Sequence, residues 1–445
     1  MIAIKIRAIK LTLAGATGLF CLGSAGAGIP ITHWTQPSGA QVFLVQNPSI
    51  PMVDVRVELD AGGRRDPAVQ AGLASVMAAS VADGVRASGR EPALDENGLG
   101  QAWADLGAVF SSGANADRMV FSLRSLTAPE LLPKAVALAA RQLAEPAFPA
   151  AVWQRDRQKW VAALKEADTR PSTQAARAFT QAVYGAHPYG AKMTVASLMR
   201  IRVQDMAVLH TRMLRPCYTK VSVVGALDRA QADALVTQLL GRLPAGSCPT
   251  LAPLPEVQAL QQSRELSLPF ASAQAHVLLG QPGYPRNDPD HLALGVGNHI
   301  LGSGPSSRLS EQVREQRGLT YSVESHFAPG LHAGAFTISL QTRPDQAKQA
   351  LQLVREIVQD FVAQGPTENE LQAAKEHLVG GFPLLLDGNF KLLDNVANIA
   401  WNNLPLDYLE TWPQRVEALT VADLRAAFAR KLQPERMVSV VLGRE

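Results

Sequence analysis

The chain has 445 residues, enough for two or three domains with sizeable cores. Its composition, 47% hydrophobic and 18% charged, is that of a globular protein. A net charge of +3, from 42 basic and 39 acidic residues with no dense Lys/Arg stripe, gives no basis for nucleic-acid binding.

Residues 1–27 read as a secretory signal peptide. Lys5, Arg7 and Lys10 form a positive n-region, residues 11–23 a short apolar core, and Ala25-Gly26-Ala27 a small-residue cleavage site. The core is too short to span a membrane, and no later run reaches spanning length. Phe20 before Cys21 is too bulky for a lipidation box, so the expectation is cleavage after Ala27 and a periplasmic or secreted protein. Retention of the segment as an anchor is the alternative.

Apolar or alternating runs at 42–45 and 53–59 read as strands, as does 117–123, and amphipathic patterns at 130–143 and 150–167 read as helices. The strand at 220–225 closes this half. Asp228 can cap a helix running to about Arg242, which returns antiparallel to that strand and carries Cys248 back towards Cys217. Two cysteines in an exported chain are either a disulfide or a pair of buried thiols.

The pattern then repeats. Strand 275–280 matches the opening runs 42–45 and 53–59, and Gly334-Ala335-Phe336-Thr337-Ile338-Ser339-Leu340 matches Asp117-Arg118-Met119-Val120-Phe121-Ser122-Leu123. Helices at 344–362 and 368–380 match the first half's helix pair and are separated by a similar Pro-containing break, 364–367 against 145–149, and strand 437–442 matches 220–225. The expected fold is α+β: two homologous domains at 28–245 and 263–445, each an antiparallel-rich sheet with helices packed on one face. Residues 246–262, beside Pro244 and with Pro249, Pro253 and Pro255, form the linker.

Two blocks carry the chemistry. The first is Asp60-Ala61-Gly62-Gly63-Arg64-Arg65-Asp66-Pro67 followed by Ala71-Gly72-Leu73-Ala74. The second is Val313-Arg314-Glu315-Gln316-Arg317-Gly318-Leu319-Thr320-Tyr321, preceded by Leu301-Gly302-Ser303-Gly304-Pro305-Ser306-Ser307-Arg308-Leu309. Together they resemble the M16 (pitrilysin/insulinase-like) zinc peptidases over about residues 30–443.

The resemblance implies an inverted zinc motif, His-x-x-Glu-His, directly after the first block, and a third ligand, Glu, on a later helix. Here those positions are Ser75, Ala78 and Ala79, and Ala162 or Ala163, with Glu166 one turn away. Zinc hydrolysis needs about three protein ligands and a base, and none is left. The small replacements suggest a helix packed as ordinary core. The resemblance also implies that Arg314 and Tyr321 hold substrate and polarise the scissile carbonyl opposite a zinc, with Gly318 ending a helix before the strand that carries Tyr321. Glu315 and Arg317 are expected to face elsewhere. Taken without the block around them, Arg314 is a helix-terminal cation and Tyr321 a strand residue.

The family's peptide-pairing edge strand is resembled by residues 107–113, with Val109, Phe110, Ser111 and Ser112 at its centre; an ordinary edge strand is the other reading. His187, in Gly185-Ala186-His187-Pro188-Tyr189-Gly190, resembles a structural loop of the family. His291, His299, His326 and His332 are scattered without ligand spacing. Gly302 and Gly304 are not followed by Lys-Ser/Thr, which excludes a phosphate loop.

The resemblance therefore implies a non-catalytic subunit of a heteromeric zinc metallopeptidase. It would hold no metal itself, its cofactor zinc would sit in a partner subunit, and peptide or unfolded protein would be the substrate. The alternative is an inert scaffold or peptide-binding protein. No Ser–His–Asp or Cys–His arrangement supports an independent hydrolase.

Overall fold

A computed structural model describes residues 29–444; the signal segment and Cys21 lie outside the described residues. The first half opens with strands β1 (Thr32–Thr35), β2 (Gln41–Gln46) and β3 (Met52–Leu59), then helix α1 (Leu73–Ser80). A short hairpin, β4 (Gly84–Val85) and β5 (Leu94–Asp95), precedes α2 (Glu96–Asp105). Strands β6 (Val109–Ala114) and β7 (Met119–Leu126) lead to α3 (Leu132–Ala144), α4 (Ala150–Asp168) and α5 (Pro171–Tyr184). Helices α6 (Val195–Arg200) and α7 (Val203–Met213), strand β8 (Thr219–Gly225) and α8 (Arg229–Leu240) complete it.

The second half runs β9 (Arg264–Pro269), β10 (Ala275–Pro282), α9 (His291–Asn298), β11 (Val323–Phe327) and β12 (Ala335–Thr342). It continues with α10 (Ala347–Gln364), α11 (Glu368–Gly381), α12 (Asn389–Trp401), α13 (Tyr408–Glu417), α14 (Val421–Lys431) and β13 (Val438–Arg444).

Apart from the β4–β5 hairpin, the strands form two sheets of matching topology. The first is ordered β1-β2-β8-β3-β7-β6 and the second β11-β12-β10-β13-β9. Each contains one parallel pair, β2–β8 and β13–β9, in corresponding places, and its other pairs are antiparallel. The duplication read from the sequence is thus visible in five strands of each sheet, β1 having no counterpart among the described residues, and β6 and β11 end their sheets.

Alternation along the strands gives each sheet two apolar faces. Val42, Leu44, Val55, Val57 and Val223 point to α1, α3 and α8, while Phe43, Val45 and Val224 point the other way. The expectation of helices on one face describes what each half supplies to its own sheet. The opposite face is covered by a helix of the other half. Leu392, Leu393, Val396 and Ile399 of α12 pack on β2, β3 and β8, and Ala175, Phe179 and Val183 of α5 pack on β10 and β13. Gly280 makes this approach possible: a Cβ there would stand 2.9 Å from Phe179 Cζ and 2.0 Å from the Phe336 carbonyl oxygen.

The seam also carries charge. Lys220 of β8 donates to the carbonyls of Ala400 (2.7 Å) and Trp401 (3.3 Å), capping the C-terminus of α12. Arg56 pairs with Asp394 at 2.7 Å, and buried Glu58 with Arg118 at 2.7 Å. Cys217 and Cys248 are joined in a disulfide with Cα atoms 5.9 Å apart. Asp228 accepts from Gln231 N–H as the N-cap of α8, the helix that returns the chain between them.

Candidate functional site

The lead-in to α1 is built by packing. Asp66 accepts from the backbone of Gly72 (2.8 Å) and Ala74 (3.0 Å), so a carboxylate caps the helix. Burial pushes its pKa up to about 6, against the lowering effect of those hydrogen bonds. Gly72 has φ +103°, and a Cβ there would fall 2.4 Å from Met193 Cε. Gly62 approaches the backbone of Arg118 as closely, with 2.4 Å from a built Cβ to its nitrogen.

The helix does not pack wholly as core. Ala78 is buried, but Ser75 is half-buried and Ala79 exposed, one turn apart on an open face. On α4, Ala162 and Ala163 are exposed, and Glu166 points into solvent and pairs with Arg170 at 3.5 Å. One hydroxyl and no imidazole or carboxylate occupy the motif positions, so these residues do not fit zinc and no metal step is assigned to them. Among the described residues no group of three or more His, Cys, Asp or Glu is arranged to hold a metal.

Strand β6 is a sheet edge, paired with β7 alone. Val109 and Ser111 are exposed on one face; Phe110 turns inward to stack on Trp103, and the Ser112 hydroxyl donates to the Ala78 carbonyl at 2.7 Å. The edge strand and the degenerate helix are therefore neighbours.

Arg314 comes from a π-helical turn, Ser310–Glu315. Gly318, at φ +59°, donates to the Arg314 carbonyl (3.0 Å) and Leu319 N–H to that of Val313 (3.0 Å), which stops the helix. Tyr321 is not on a strand, as expected from the sequence, but in the loop ahead of β11. The Thr320 hydroxyl explains this: it lies 2.7 Å from the carbonyls of Ser322 and Gln341 and accepts from Ser322 N–H, replacing ladder bonds. Thr342 Oγ1 donates to the Leu319 carbonyl from the next strand. So pinned, Tyr321 is 85% exposed, and the Arg314 guanidinium carbon lies 5.6 Å from its ring centroid. Glu315 does not face elsewhere: it pairs with Arg314 at 3.2 Å. Arg317 does, donating to the Gln312 carbonyl at 3.1 Å.

Gly302 and Gly304 serve close packing. Built Cβ atoms would meet Ser325 Oγ at 2.4 Å and the His299 carbonyl oxygen at 2.6 Å.

One cluster escapes the sequence. His332, read as one of a scattered set, has its ring 5.4 Å from that of His187 and its Nδ1 3.0 Å from Glu256. His187 is structural: its Nε2 is 2.9 Å from the Pro255 carbonyl oxygen, its Nδ1 accepts from Tyr189 N–H, and burial lowers its pKa. Tyr189 donates to Asp117 at 2.5 Å, and Asp117 also accepts from Arg64 Nε and Leu331 N–H. First half, linker and second half meet here, across sequence distances that no local motif spans.

This architecture has solved relatives. A crystal structure from Pseudomonas fluorescens described as a peptidase M16 inactive domain superposes with a TM-score of 0.87 at 32% identity, covering 93% of this chain and 98% of that one. The chain belongs to the M16 peptidase family. The model of the M16 inactive domain itself matches residues 200–378, which include the Arg314–Tyr321 block. An uncharacterized zinc protease of Mycobacterium tuberculosis is 27% identical over 414 residues, 92% of each chain. A non-peptidase homolog from Helicobacter pylori is 24% identical over 388 residues, 86% of this chain and 87% of that one. Within this M16 fold, the zinc-motif helix carries no ligand and the Arg–Tyr loop stands open to solvent.

Proposed function

We propose that this chain is the non-catalytic subunit of an exported, heteromeric M16-type zinc peptidase, presenting Arg314 and Tyr321 to substrate held at a partner's zinc. The observation that carries the reading is a contrast. Ser75, Ala78, Ala79 and Ala162 offer no ligand, while a permanently charged fork and a phenol stand together, exposed, on a loop pinned by Thr320 and Thr342. Arg donates regardless of pH and Tyr offers one O–H, so the pair can stabilise charge developing on a carbonyl oxygen. An extended peptide could add to the free edge of β6 by main-chain pairing.

The test is co-expression with a zinc-bearing M16 protein encoded nearby. Arg314→Ala and Tyr321→Phe should each lower turnover by about 10²–10³, mainly in kcat, while the complex still assembles. Arg317→Ala should change little. The isolated chain should hold no stoichiometric zinc by metal analysis, and its exported form should begin at Gly28. Wild-type turnover from both site variants in an intact complex would leave the second reading, a peptide-binding scaffold, which the unpaired β6 edge favours.

A further inference from the structure

Helix α5 covers β10 and β13 and reaches the start of β12, where Ala335 packs against it and donates to Tyr184 Oη at 2.7 Å. Between the N-terminal end of α5 and the strands β10, β11 and β12 lies a cavity of about 410 Å³, walled by Ser172, Ala176, His276, Tyr321, Glu324 and Gln341 among others. Glu324 is the sole formally charged residue on that wall. We propose that this cavity is a side-chain subsite for a lysine or arginine of an extended peptide, with Glu324 as the specificity-determining residue. The inference rests on the peptide-handling reading above and names the substrate class for it.

An exposed glutamate on a strand is ordinarily a solvated one. Three observations set Glu324 apart. It shares its cavity with Tyr321, the residue placed at the reacting carbonyl, so a side chain lodged there belongs to a residue near the bond to be cut. Among the described residues no Lys or Arg pairs with it, and it accepts from the Ser339 hydroxyl at 3.4 Å. On the corresponding face of the first sheet, by contrast, Asp54 is held by Arg124 at 2.6 Å and Glu58 by Arg118 at 2.7 Å. The carboxylate that faces the cavity is the one left without a cation.

The other polar groups are compatible with a cationic guest. His276 lies across from Gln341 in the β10–β12 register, and burial lowers its pKa, so it is neutral near pH 7. Ser172, Ser339 and Gln341 offer neutral oxygens. The N-terminus of α5 contributes a partial positive charge near Ser172, which a full carboxylate charge outweighs. Arg314 lies over the Tyr321 ring, paired with Glu315, and is not part of the cavity wall. Ala175, Ala176 and Leu278 supply apolar surface for the aliphatic stem of a long basic side chain.

The experiment uses the isolated exported chain and four fluorescein-labelled nonapeptides that differ only in a central Lys, Arg, norleucine or Glu, with Kd read by anisotropy. The Lys and Arg peptides should bind about five- to tenfold tighter than the norleucine peptide, as befits a partly shielded ion pair. Glu324→Gln should shrink that ratio to within about twofold, the loss falling on the basic peptides, and Glu324→Lys should turn the preference towards the Glu peptide. Equal affinities for all four, no binding of any, or a ratio unmoved by Glu324→Gln would overturn the proposal. Its fate is separable from the subunit reading: inert Arg314 and Tyr321 variants beside a Glu324-dependent ratio would refute the catalytic role and keep the subsite. Normal turnover effects with no charge preference would do the reverse.

Discussion

Replacing Phe179 by Ala tests whether the two halves are one folding unit. Phe179 is on α5, a helix of the first half, yet it is 4% exposed and packed on the second sheet against Gly280, Val438 and Val440. Its near-complete burial removes about 150–250 Å² from water, worth roughly 4–6 kcal/mol at 25 cal/mol/Å². Allowing for what an alanine still buries and for partial collapse, truncation should cost about 3–5 kcal/mol. Unfolding entropy for a chain of this length is about 0.9 kcal/mol per degree, so Tm should fall by about 3–6 °C. Calorimetry should show a single transition that shifts as a whole, because the removed contact joins both cores. Two separate transitions with one unmoved, or a Tm change under about 1 °C, would refute the view that the exchanged helices weld the halves together.

Glu58 offers a pH test. Burial pushes its pKa from its ordinary value near 4.5 up to about 7, against the opposing pull of Arg118, Arg56 and Lys220. The native state therefore holds the proton more tightly than the unfolded chain. The contribution is present below pH 4.5 and lost as pH rises through 7, about 3 kcal/mol at most. Between pH 5 and 8 the wild type should lose more Tm than Glu58→Gln, and parallel profiles would exclude this coupling. Breaking the disulfide with Cys217→Ser and Cys248→Ser reopens a loop with a sequence separation of 31. On the chain-entropy model that costs about 3.5–4 kcal/mol, to be read from urea unfolding with and without reductant; a cost under about 1 kcal/mol would contradict it.

Period-2 alternation located the main strands and 3.6-residue periodicity the long helices, because both report which side of an element is buried. Neither reports what does the burying. In α5 the stripe Ala175, Phe179, Val183 announces an apolar face, but the same stripe would suit the first sheet as well as the second. The exchange of α5 and α12 therefore had no local signal. Glu324 failed for the same reason: alternation turns it outward on β11, and only a helix from the other half makes outward mean a cavity wall. Tyr321 was misplaced because the Thr320 side chain substitutes for a ladder bond, which a strand pattern does not register.

The fold itself accounts for why the zinc lead-in survives without zinc. Asp66 caps α1, Gly72 needs its left-handed φ against Met193, and Gly62 lies against the backbone at Arg118. Each is fixed by packing whatever stands further along the helix. Ser75 and Ala79 sit on the open face, so imidazoles there would add little core contact and their absence costs the fold little. The second block divides differently. Gly302, Gly304, Gly318, Thr320 and Thr342 likewise have packing or turn roles. Arg314 and Tyr321 do not: both side chains are open to solvent, with Arg314 over the Tyr321 ring and paired with Glu315. Stability therefore explains the frame around the pair but not the pair, and an exposed aromatic beside a fixed cation is what a surface offers to a ligand.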